Sequence, residues 1–267
     1  MIKTSFSFKT CDKGPSLFPK RPLRDAFSLV ELLTVLTIIS IVTAFAIPAF
    51  TVRDADNISN GSYAISGTLQ RARAYAMAHN TYVWVGFYEE AADAPAPTNV
   101  FPYSGKGRVV IGMVASVDGT QIIADGATGT LDPTRIYQID KLARIQNIHV
   151  ADLGLPTGGA TAISNRPKGA YFNASNDSYS PTELYGISSD SSTEESTTFF
   201  VVGSYEFYKT IRFSPSGEAS IDGVPTLRRV GEIDLQPTHG DTLNAASPNV
   251  VAIQFTGIGG GLQTYRN

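Results

Sequence analysis

Glu31 is an acid inside the apolar run FSLVELLTVLTIISIVTAFAIPAF, which extends from Phe27 to Phe50. As a helix rising about 1.5 Å per residue, the run spans roughly 30 Å, enough to cross a bilayer. A carboxylate at bilayer depth costs about 2.5–3.5 kcal/mol on insertion scales, so it calls for a cationic partner. Hydrolysis of the Ala26–Phe27 bond would create one, an amine four residues upstream of Glu31. The flanks agree with that chemistry. Lys3, Lys9, Lys13, Lys20, Arg21 and Arg24 precede the bond against only Asp12 and Asp25. This balance puts residues 1–26 on the cytoplasmic side under the positive-inside rule and the rest of the chain outside.

No second set of residues has the spacing of a catalytic or metal site. His79, His149 and His239 are far apart, and H-E-x-x-H, C-x-x-C and G-x-S-x-G are all missing. The chain is therefore read as a non-enzyme without a cofactor, although a triad gathered from distant residues would be invisible to spacing. GIGGG at 257–261 lacks the helix and acidic residue that follow a dinucleotide-binding loop, and reads as a turn. Asp190, Glu194 and Glu195 offer oxygen ligands for calcium but have no EF-hand register, and a solvated acidic loop is the simpler reading. Tyr82, Trp84 and Tyr88 share one side of a strand, with Val83, Val85 and Phe87 on the other. An aromatic sugar-binding face is one interpretation. The favoured one has both sides covered, one by a helix and the other by a second sheet.

The order Ala26, Phe27, Ser28, Leu29, Val30, Glu31, then an uninterrupted apolar run and Pro48, resembles the prepilin-type N-terminus of type IV pilins and type II secretion pseudopilins. The resemblance implies that prepilin peptidase, a membrane aspartic peptidase, cuts before Phe27 and methylates the new amine. It also implies that Glu31 pairs with the N-terminus of a neighbouring subunit during assembly. Other pilin or pseudopilin subunits, an inner-membrane assembly platform and membrane lipid are the implied partners. The implied location is the inner membrane, crossed once with the head outside, and then a filament. Ala26 stands where glycine is typical of the family, and the leader is longer than most. QRARAYAMAHN followed by TYVWVGF, within residues 69–87, resembles the minor-pseudopilin, GspH/FimT-like branch. The same N-terminal residues also fit an uncleaved signal anchor whose Glu31 snorkels to the interface.

These residues need a leader, a stalk and a head to position them. Residues 1–26 hold Gly14, Pro15, Pro19 and Pro22 with little periodicity and are set aside as a targeting segment. Residues 27–50 form the transmembrane and assembly helix, which is too long for a secretory signal and has no A-x-A-like site after it. Ser28, Glu31, Thr34, Thr37, Ser40 and Thr43 recur every three residues in it. Their hydroxyls suit close packing between membrane helices, or bonds back to their own helix carbonyls. Pro48 predicts a kink or a short unwound region. Residues 51–80 form an amphipathic helix, with Ile58, Ile65, Leu69, Ala72 and Ala76 on one face.

Residues 81–267 are the head, where short β-rich runs alternate with Gly, Pro, Asn and Ser. Strands are predicted over 82–88, 108–117, 135–139, 143–150, 198–202, 209–213, 228–235, 250–255 and 262–265. Turns are predicted at 214–217 and 257–261, and loops over 91–105 and 188–198. The fold class is α+β and pilin-like: a long N-terminal helix, half membrane-spanning and half amphipathic, packed on a β-rich antiparallel-sheet head.

Composition narrows the function. The leader carries six basic and two acidic residues, so the chain's 21 basic and 24 acidic residues leave 15 against 22 beyond it, a net charge of −7. That balance argues against a general nucleic-acid binder. The single cysteine, Cys11, lies in the leader, so the head has no disulfide to hold it. The leading reading is a minor pilin or pseudopilin, a structural subunit. An adhesin or DNA-uptake pilin, with a basic patch near Arg228, Arg229 and Arg266, is the rival from the binding class. A signal-anchored protein outside any filament is the third.

Overall fold

The structure is a computed structural model that describes residues 28–93, 105–121, 130–151, 163, 171–173, 178–180, 185–187, 199–221, 230–245 and 247–266. It divides into two compact units, Met1–Ala46 and Ile47–Asn267. Helix α1 is Leu29–His79. Its first hydrogen bond runs from the Leu32 N–H to the Ser28 carbonyl at 3.1 Å, so Ser28 stands at the N-cap. The backbone stays helical through Pro48, and the short unwound region expected there is absent. Proline deletes one donor, and the flanking residues keep theirs. The helix ends as its sequence predicts: Asn80 adopts φ 50°, and the Thr81 N–H returns to the Ala76 carbonyl at 3.0 Å, a Schellman closure.

Among the described residues, sixteen strands follow. The first five are β1 (Val83–Ala91), β2 (Gly107–Ser116), β3 (Ile136–Gln138), β4 (Ala143–Gln146) and β5 (Ile148–Ala151). Next come β6 (Tyr171–Asn173), β7 (Ser178–Ser180), β8 (Tyr185–Ile187), β9 (Phe200–Val202), β10 (Tyr205–Phe207), β11 (Lys209–Phe213) and β12 (Ala219–Ile221). The last four are β13 (Val230–His239), β14 (Thr242–Leu243), β15 (Val251–Thr256) and β16 (Leu262–Arg266). One sheet runs β12-β11-β1-β2-β3, with β4 also on β2; the other runs β14-β13-β15-β16, with β5 and β8 also on β13. The pairings between these strands are antiparallel, as the β-rich antiparallel head predicts, except that β8 lies parallel to β13. β6–β7 and β9–β10 are separate hairpins.

The single strand expected over 143–150 is broken at Asn147, whose φ is 60°. There the chain leaves the first sheet and enters the second, because the bent backbone can no longer continue the β4 ladder. The Asn147 N–H bonds to the Gly107 carbonyl at 2.7 Å, and its carbonyl accepts the Thr238 N–H at 3.1 Å, so the crossing residue ties both sheets. At another join, the Ala219 N–H reaches the Gly257 carbonyl at 2.8 Å. The loop expected over 188–198 lies outside the described residues, as do Arg228 and Arg229.

The core follows from the helical and strand periodicities. Ile58, Ile65, Leu69, Ala72 and Ala76 of α1 pack with Val83, Val85 and Phe87 of the first sheet and with Ile233, Leu235 and Ile253 of the second. The opposite side of β1 is buried too: Trp84 and Tyr88 pack with Val110, Val114, Leu131, Phe200 and Phe207. Both faces of β1 are thus covered, but the second sheet lies on the helix side, and the β9–β10 hairpin covers the aromatic side. Gly86 and Gly112 stand opposite one another in the β1–β2 ladder. A Cβ added at Gly86 would come within 2.5 Å of Phe207 Cβ and one at Gly112 within 2.8 Å of its ring, so this glycine pair forms the seat of that side chain.

Candidate functional site

At the start of α1 the sequence builds a helix that is apolar nearly all round and carries one charge. Leu29, Val30, Leu32, Leu33, Leu36, Ile38, Ile39, Ile41 and Val42 are all exposed, from Leu29 at 80 % to Ile39 at 54 %. Glu31 sits in the first turn, where the unpaired N–H groups and the positive end of the helix dipole favour a carboxylate by about 0.3–1 kcal/mol. The hydroxyls bond within the helix. Thr34 donates to the Glu31 carbonyl, Thr37 to Thr34, Ser40 to Leu36 and Thr43 to Ile39, each at 2.8 Å. These are the bonds back to their own helix carbonyls that the sequence offers.

Ala26 and Phe27, the expected processing residues, lie outside the described residues, as does the acidic set Asp190, Glu194 and Glu195. Glu31 is in the first turn of α1 and Pro48 also falls within the helix. Among the described residues no helix is long and apolar enough to cross a membrane. The run on which the expectation of a span rests begins at Phe27, outside them.

In the head the three histidines are kept apart. His79 stacks on Tyr75 with ring centroids 4.1 Å apart; His239 Nε2 lies 3.1 Å from the Asp54 carboxylate. His149 is buried against Glu89. Among the described residues no group of three or more His, Cys, Asp or Glu gathers to hold a metal ion. The turn expected at GIGGG joins β15 to β16, with the Gly260 N–H bonded to the Thr256 carbonyl at 2.7 Å. Arg266, one of the three arginines of the imagined basic patch, donates to Ser59 Oγ at 2.9 Å and lies over the Tyr63 ring.

Sequence reasoning missed two polar networks that fix the head. Adjacent Glu89 and Glu90 point to opposite sides of β1. Glu89 takes His149 on the helix side, while Glu90 accepts from Arg108 at 3.1 Å and from the Tyr205 hydroxyl at 3.2 Å. The Arg144 guanidinium adds a cation–π contact 5.6 Å from the Tyr205 ring. At the far end Asp118 is held well below the usual carboxylate range, first by Arg135 and then by bonds from Thr120 and Ser116. The only sequence signal for the first network was the pair of acids at the end of an apolar strand; nothing in the sequence located their partners.

Residues 22–47 match the family described as the prokaryotic N-terminal methylation motif. No curated protein and no solved structure matches the chain. The matched residues contain the Ala26–Phe27 bond and Glu31 and stop short of Pro48 and the whole head. They support a prepilin-like, pilin or pseudopilin N-terminus.

Proposed function

We propose that this chain is a non-enzymatic subunit of a type IV pilus or type II secretion pseudopilus, a minor pilin or pseudopilin of the GspH/FimT-like branch. The observation that carries the reading is the methylation-motif match at residues 22–47, where the first turns of α1 expose large apolar side chains and Glu31 is the one charged residue between Leu29 and Thr43. Prepilin peptidase removes residues 1–26 and leaves the amine of Phe27 one residue before the N-cap Ser28. Within one chain, a regular helix puts Glu31 about 6 Å along the axis from that amine. A staggered neighbour brings its own amine to the carboxylate, and in an apolar filament core the pair holds only when both charges are present.

The internal hydroxyl bonds support the same reading, because a helix that has satisfied its own polar groups loses none of them when buried against other helices. The head, held by apolar clusters on both faces of β1 and by two polar networks, is then the part carried on the filament surface. The test is intact-mass and N-terminal analysis of the membrane form from the native host. Loss of residues 1–26 with one added methyl group is expected. A mature form that still begins near Met1 would leave the chain a signal-anchored protein instead.

A further inference from the structure

We draw no further inference here: the strongest candidate, the outer edge of β16 at the end of the second sheet, is a strand edge with no neighbour among the described residues, and nothing in the structure shows what covers it.

Discussion

The Glu89 carboxylate and the His149 ring, 60 residues apart in sequence, meet inside the head, with Nδ1 2.9 Å from both carboxylate oxygens. The same carboxylate accepts the Gly107 N–H at 3.1 Å and the Val150 N–H at 3.3 Å. A strand of the first sheet thereby satisfies donors from β2 and from the second sheet at once. Glu89→Ala should cost about 3 kcal/mol, since each donor loses its acceptor in a dry site. Glu89→Gln should cost less, because it keeps one acceptor oxygen. Urea denaturation of the wild type and both variants checks the order. A loss under about 1 kcal/mol for Glu89→Ala would mean that water replaces the carboxylate.

Gly86 has no side chain because Phe207 occupies its place. Gly86→Ala should lower stability by about 1–3 kcal/mol through overpacking. Phe207→Leu in the same background should recover part of that loss, although Phe207→Leu alone is destabilising. Thermal melts of the two single variants and the double variant form the cycle, and strict additivity would show that ring and glycine are not coupled.

How far the fold could be read in advance depended on the range of each signal. The core face of α1, Ile58 to Ala76, repeats at helical spacing and was legible residue by residue, as were the alternating faces of β1. Local turn chemistry at 214–217 and 257–261 was also legible. Asn147 was not, because ARIQNIHV is apolar and β-rich on both sides, and only the tertiary change of sheet demands φ 60° there. The parallel β8 and the partners of Glu89 depend on contacts distant in sequence, which periodicity does not encode. In the candidate site, Glu31 stood out for its charge alone, whereas Arg108 and Tyr205 became partners of Glu90 only once β2 and β10 were placed beside β1. Asn147 gives a direct check. Asn147→Ala should cost about 1–2 kcal/mol for a left-handed residue with a Cβ, and Asn147→Gly should stay within roughly 0.5 kcal/mol of wild type. Equal losses for the two in urea titrations would remove backbone conformation as the reason for asparagine.

Tyr75 and Tyr137 share a hydroxyl contact at 2.6 Å, and the Tyr137 phenol is pushed up to about 12 by burial first and by the Tyr75 bond and its charge next. A raised folded value means that the folded state prefers the protonated phenol. Its contribution is complete below the ordinary value of 10.0 and disappears as pH rises through about 12. The wild type should therefore melt above Tyr137→Phe near pH 9, and the two should converge as pH approaches about 12. Absorbance at about 295 nm should show one late-ionising phenol that Tyr137→Phe removes. A phenol count unchanged by the substitution would place the late ionisation elsewhere.

Glu31 is the residue on which assembly is expected to turn. Its carboxylate is near the N-terminal end of an exposed apolar helix, where the helix dipole favours it but no cation of the same chain pairs with it among the described residues. Glu31→Leu removes about 2.5–3.5 kcal/mol of insertion cost, so entry into the membrane should be easier, not harder. Cleavage should proceed because the cut lies upstream of the substitution. What the leucine cannot do is neutralise a neighbour's new amine, which would then be buried unpaired at a cost of several kcal/mol. Recovery in sheared filament fractions should fall by at least about tenfold, with processed protein accumulating in the membrane. Glu31→Asp, one methylene shorter, should assemble partially. Equal recovery of wild type and Glu31→Leu, with the native partner subunits present and processing intact, would take assembly away from this carboxylate and favour a membrane-anchored head that does not enter a filament.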